Sequence, residues 1–179
     1  MANVNRVHWD NLPVRPYPVK GSVAQIDVGD FVFFDSRFQG NTNQNTIRPA
    51  SSGSAGSTEA DGRVQFATLN VGVARGRHDL NSFDKNMAVS VDAIVEATIA
   101  NSVGTATAVT ADFDPGTNVG IAVTASFVPI DDLVVVSGHG SVTVADNEAI
   151  GKVSHQIKNG DATVRFHLKG MHVFSQTGI

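Results

Sequence analysis

Six histidines, two adjacent carboxylates and one serine–histidine cluster are the side chains from which this chain could build chemistry. His8, His78, His139, His155, His167 and His172 nowhere fall at His-x-x-x-His or His-Glu-x-x-His spacing, which would set two imidazoles on one helix face around a metal. His167 and His172 lie near the expected final strand and could approach each other, or His155 across a hairpin, to bind a metal or sense pH. The simpler expectation is ordinary residues on the wet face of a strand. Ser137-Gly138-His139-Gly140-Ser141 holds a candidate nucleophile and base, but Gly-x-Ser-x-Gly is absent and the segment reads as a β-turn. Asp131 and Asp132 alternate faces in an extended chain, so they cannot share acid–base work. Asp27, Asp30 and Asp35 are separated by a hydrophobic run, unlike the tight alternate spacing of a calcium loop. No Gly-rich loop precedes a Lys-Ser or Lys-Thr pair, so a phosphate cradle is not expected. The expectation is a chain without catalysis, cofactor or metal.

Composition narrows the class further. At 179 residues the chain can build one substantial core, or two small β-units sharing one. Val, Ala, Thr, Gly, Ser and Asn dominate and long charged helical patterns are missing, which predicts an all-β protein with many turns. The net charge is −4 with no basic cluster, so nucleic acid is not an expected partner. No run reaches the roughly 20 apolar residues of a membrane helix, and the first residues lack an apolar signal core. There is no cysteine, which removes disulfides, thiolate metal sites and thiol nucleophiles and fits synthesis in a reducing cytoplasm.

The elements that would position these side chains are mostly strands. Residues 1–20 carry Pro13, Pro16 and Pro18 with Trp9 and Tyr17, and read as an extended N-terminal arm that packs its aromatics on a neighbour. Phe31-Val32-Phe33-Phe34 has no wet face and predicts a strand covered on both sides. Residues 39–62 turn to Asn, Thr, Ser and Gly, a long polar loop that orders on contact with something else. Strand character returns at residues 66–75. Residues 87–99 fit both a strand and a helical stripe, and their Val/Thr-rich flanks predict strand. Asp114-Pro115-Gly116 is a turn leading into a strand over 119–127. Further strands are expected at 133–137 and 141–145, then a hairpin closed by a type I′ turn at Asn159-Gly160. Beyond that turn Thr163, Arg165, His167 and Lys169 alternate with Val164, Phe166, Leu168 and Gly170, one wet face and one dry.

The chain also echoes itself. Asp30-Phe31-Val32-Phe33-Phe34-Asp35 resembles Asp132-Leu133-Val134-Val135-Val136-Ser137, and Val71-Gly72-Val73-Ala74 resembles Ile150-Gly151-Lys152-Val153. A single β domain is expected over 21–179, and either two related units at 21–100 and 113–175 or one unit with an inserted loop would produce these echoes.

Four segments carry a resemblance: Asp132-Leu133-Val134-Val135-Val136, Gly140-Ser141-Val142-Thr143-Val144, Ile150-Gly151-Lys152-Val153 and Gly160-Asp161-Ala162-Thr163-Val164-Arg165-Phe166-His167-Leu168. Their order resembles the small decoration, or cement, proteins of tailed-bacteriophage heads. Val28-Gly29-Asp30 before the Phe run, and the Val71-Gly72-Val73-Ala74 step, are similar to the N-terminal half of that family. The resemblance implies a compact β-barrel or β-tulip, commonly trimeric, seated on the outer capsid surface and bridging major capsid subunits.

The expected function is therefore a non-enzymatic virion protein, made in the host cytoplasm, that binds the major capsid protein as a homo-oligomer, with a trimer favoured. Neither nucleic acid nor membrane is an expected partner. The expected contacts are Trp9, Pro13, Pro16, Tyr17 and Pro18 from the arm and Ile47 and Arg48 from the polar loop. A self-assembling jelly-roll coat protein and a carbohydrate-binding β-sandwich are the alternatives; the latter would need exposed aromatics, and the one Trp and one Tyr both lie in the arm.

Overall fold

The alternation over residues 86–99 is a strand path in the computed structural model, interrupted at Val91, and it joins the two halves of the molecule. The structure describes residues 6–10, 14–19, 25–34, 46–53, 55–79, 81 and 86–169. The strands are β1 Arg6–Asp10, β2 Arg15–Pro18, β3 Gln25–Ile26, β4 Phe31–Phe34, β5 Ile47–Pro49, β6 Asn70–Ala74, β7 His78–Asp79, β8 Asn86–Ser90, β9 Asp92–Ile99, β10 Asn118–Val123, β11 Pro129–Val136, β12 Ala149–Val153 and β13 Thr163–Lys169. One helix, α1 Glu59–Leu69, stands between β5 and β6. The chain is all-β in class, as its composition predicts.

The C-terminal strands close on themselves. β9 pairs with β13, β13 with β12, β12 with β10 and β10 with β11, each antiparallel. β11 then returns to β9 in parallel, Leu133 opposite Thr98 and Val134 opposite Ile99. Closure gives a five-stranded barrel in which every strand has two neighbours. β1 pairs antiparallel with the earlier part of β9, alongside the stretch that β11 occupies.

The N-terminal strands repeat that ring. β2 pairs with β8, β8 with β6, β6 with β4 and β4 with β5, all antiparallel. Val19, one residue past β2, meets Ile47 of β5 in a parallel bridge, as Ile99 meets Val134 in the second ring. In both rings the strands follow the order first, third, second, fourth, fifth, with one parallel contact between first and third.

The match extends to irregularities. The β4–β6 ladder slips between Val32 opposite Gly72 and Phe33 opposite Asn70; the β10–β12 ladder slips between Val119 opposite Gly151 and Gly120 opposite Ala149. The turn before β4 closes with Asp30 N donating to Asp27 O at 3.2 Å, and the turn before β10 with Thr117 N donating to Asp114 O at 3.3 Å. Gly29 and Gly116 hold the same place in these turns with φ of 95° and 92°, where a side chain is strained. Ile26 pairs with His78 as Phe113 bridges Ile157. The molecule is a tandem of two equivalent five-stranded units divided at Val91, rather than at residues 100–113. The reason is that β9 belongs to the second ring.

The barrel interiors correspond as well. Tyr17, Val19, Ile26, Val32, Phe34, Ile47, Val71, Ala74, Met87, Val89 and Val91 form the core of the first unit. In the second unit Ala97, Ile99, Phe113, Val119, Ile121, Val134, Ile150, Val153, Val164, Phe166 and Leu168 take these places in the same order, and all pack in one core. The Phe31–Phe34 run is buried on both sides because its faces serve different cores. Val32 and Phe34 fill the first ring, while Phe31 and Phe33 join the second core, Phe31 at 6.4 Å from Phe166 and Phe33 edge-on to Phe66 at 6.0 Å. At roughly 1.5–3 kcal/mol per buried large side chain, these two phenylalanines are a principal tie between the units. Their counterparts on the second ring are Asn118 and Gly120, and Val73 is matched by Lys152. Asn118 donates to Val144 O and Asp146, and Lys152 lies 3.6 Å from Asp146. Around Gly120 this face of β10 is covered by Arg63 and by Val144 of the connection to β12.

Several expectations are corrected by this topology. Residues 15–18 are not a free arm: they pair along the length of β8. The polar loop gives way to β5, a short 3₁₀ turn and α1, so residues 66–69 are helical rather than strand. Residues 139–141 form a 3₁₀ turn and 142–145 join no ladder, in place of a strand over 141–145. The Asn159-Gly160 step sits at the centre of the β12–β13 register, but the ladder opens beyond Val153 opposite Phe166 because Ile157 leaves to bridge Phe113. Gly160 has φ of 97° while Asn159 does not take a positive φ, so the turn is not type I′. The alternation on β13 stands: Val164, Phe166 and Leu168 are buried, while Thr163 and Arg165 are exposed.

Candidate functional site

A cleft lined in part by polar side chains forms where the long connection of the first unit meets those of the second. Thr58 caps α1, its hydroxyl accepting from Asp61 N at 3.1 Å, and Glu59 and Asp61 occupy the positive first turn. One turn in, Arg63 points toward the second barrel and is buried, its side chain 5% exposed. A β-carbon on Gly120 would stand 3.1 Å from Arg63 Cδ, so β10 is bare where the arginine stem lies against it. Arg63 Nε donates to Glu148 Oε2 at 2.6 Å, Nη2 donates to Thr143 O at 3.3 Å, and Nη1 lies 3.6 Å from Glu59 Oε2. Thr58, Ser102, Gly140 and Ser141 complete the open cleft.

One guanidinium thus stands between two carboxylates. Arg63 and Glu148 are both nearly out of water and consume each other's charge, which suits a clamp between units better than a poised acid, base or anion receptor. Sequence reasoning missed both residues. They stand far apart in the chain, and nothing local marks either as buried.

The candidate chemistry is scattered. His139 is buried edge-on to Phe113, with ring centroids 6.4 Å apart, and its nitrogens have no hydrogen-bond partner among the described residues. Ser137 Oγ accepts from Val144 N at 3.1 Å and so fixes the turn rather than facing an imidazole. His167 Nε2 lies 2.8 Å from Asp92 Oδ1 and stands opposite Lys152, not His155. His155 is exposed beside Ser154 Oγ at 2.9 Å, and His78 is buried in β7. His172 and Asp35 lie outside the described residues. No cluster of three or more metal-ligating side chains occurs among the described residues.

Asp131 and Asp132 follow one another along β11. Asp131 accepts from Ser51 N at 2.6 Å, and burial pushes its carboxyl above the usual range. It ties the turn after β5 to β11, a second contact between the units.

The expected partner contacts divide between surface and core. Pro16 and Pro18 are exposed on β2. Tyr17 is buried edge-on to Phe34 at 5.6 Å, and Ile47 is fully buried in the first ring, so neither is available to a partner in this fold. Arg48 is partly buried in β5. Trp9 lies in β1, and Pro13 lies outside the described residues.

Searches with the sequence match no known protein family and no characterised protein.

Proposed function

We propose that this chain is a non-enzymatic structural protein of a tailed-phage virion, bound to the outer surface of the head and stabilising the lattice of the major capsid protein. The observation that carries the reading is where the four resembling segments fall. Residues 132–136, 150–153 and 160–168 supply β11, β12 and β13 of one closed barrel, and 140–144 form the connection packed outside it through Val142 and Val144. They are one contiguous structural body, of the compact β-barrel kind that the resemblance implies. The tandem of five-stranded rings also suits a protein that must present a fixed surface many times. It differs from the eight-stranded double sheet that a jelly-roll coat protein requires.

The experiment is addition of the purified chain to heads that lack it, followed by thermal release of the packaged genome. The reading predicts a higher release temperature that saturates with added chain. An unchanged release temperature at saturating chain would count against it.

A further inference from the structure

We propose that Asn159 is a deamidation site of this protein and that Asp112, through the hydrogen bonds that hold the turn, sets how slowly it reacts. Asn159-Gly160 is the single Asn-Gly step in the sequence, and both residues are exposed. Glycine carries no side chain to shield its amide, so this step is the least hindered place for an asparagine to cyclise.

The chemistry needs only water and hydroxide. Gly160 N gives up its proton to hydroxide and attacks Asn159 Cγ, forming a C–N bond. The Cγ–Nδ2 bond then breaks and Nδ2 leaves as ammonia, taking a proton from water. Water opens the resulting five-membered imide at either carbonyl, and the proton returns to Gly160 N. The product is aspartate or isoaspartate, with no change of oxidation state.

In the folded chain each participating group is held. Gly160 N–H donates to Val109 O at 2.9 Å, so the nucleophile is engaged with an adjacent segment. Asn159 N donates to Asp112 Oδ1 at 2.8 Å, and Lys158 Nζ donates to Asp112 Oδ2 at 2.8 Å. Asp161 closes the turn from the other side: its Oδ2 accepts from Lys158 N at 2.8 Å, and its own N donates to Lys158 O at 2.9 Å. Cyclisation requires Gly160 N to leave Val109 and swing toward Asn159, which this network opposes. The two carboxylates also disfavour the deprotonated amide that attacks. The reaction therefore proceeds from locally opened turns, and the opening equilibrium controls its rate.

The product matters to the fold. It places a new carboxylate beside Asp112 and Asp161, and isoaspartate lengthens the backbone where residues 154–162 connect β12 to β13. The Phe113 to Ile157 bridge lies within reach of that change.

The test incubates the full chain at mildly alkaline pH and follows mass and isoaspartyl methylation of the peptide containing Asn159. Folded wild type is expected to react slowly and urea-unfolded wild type at least about tenfold faster. Asp112→Ala, with its fold verified by its unfolding transition, is expected to react about tenfold faster than wild type, the effect of losing a charge-assisted hydrogen bond on an opening equilibrium. Asp112→Asn, which keeps the shape, should fall between them. Equal rates in the folded and unfolded chain, or folded Asp112→Ala and Asp112→Asn both reacting like wild type, would overturn the proposal. Gly160→Ala should slow the reaction in the unfolded chain; no slowing there would equally overturn it.

Discussion

Gly72 and Gly151 occupy one and the same position in two successive barrels. A β-carbon on Gly72 would stand 2.0 Å from the carbonyl oxygen of Ser90, and one on Gly151 would stand 2.3 Å from that of His167. Each glycine lies on the fourth strand of its ring and presses against the backbone of the fifth. The obstacle in both cases is main chain, which cannot rotate away.

Gly72→Ala and Gly151→Ala are therefore each expected to destabilise by roughly 1–3 kcal/mol, the range of overpacking against fixed structure. Chemical denaturation of the two variants checks this. Gly76, whose β-carbon would meet nothing within 4 Å, is the control, and Gly76→Ala should leave stability nearly unchanged.

The Arg63–Glu148 clamp predicts an asymmetric mutation series. Removing one partner, as in Arg63→Ala or Glu148→Ala, strands a buried charge and should cost about 3–5 kcal/mol. Arg63→Met with Glu148→Leu removes both charges and keeps the volume, and should recover most of that loss. A double-mutant cycle measures the difference; strictly additive losses would show that the pair is not coupled.

Asp131 predicts a pH dependence of defined sign. Its carboxyl is raised in the folded state by burial first, with Asp132 and Asp27 adding to the rise and the bonds from Ser51 opposing it. A raised acid favours the fold below its unfolded value, and that contribution is lost as pH rises through the folded value. Asp131→Asn should consequently be more thermostable than wild type at neutral pH. The gain should shrink as pH falls toward about 4, where the unfolded carboxyl protonates. Thermal unfolding of both proteins across this range reads the effect.

How much of this was legible in the sequence follows from which forces are local. The Val164, Phe166 and Leu168 alternation shows a strand with one dry face because a two-residue period needs no partner to be read. The Phe31–Phe34 run announces burial on both sides but not that two cores share it, since that depends on where the second ring docks. Val71-Gly72-Val73-Ala74 and Ile150-Gly151-Lys152-Val153 do stand on equivalent strands. The other echo misaligns: the counterpart of β4 is β10, not β11, because aliphatic runs look alike and only pairing order distinguishes them.

The helix was hidden for a different reason. Thr58, Glu59 and Asp61 are proper first-turn residues, but Gly62, Arg63 and Phe66 make a sparse apolar face in which the key buried group is charged. Its buried side chains meet Glu148 and the second core, which no local window contains. The same holds for Tyr17 and Ile47, which look like contacts for a neighbour until the first ring closes around them.

The proposed place of the chain on the surface of a phage head is tested most directly by its copy number on purified heads. If the proposal holds, tailed-phage heads isolated on a density gradient from cells expressing the gene should carry the chain in a fixed ratio to the major capsid protein, accessible to surface labelling. Heads free of the chain, or carrying it only inside where surface labels do not reach, would contradict the account.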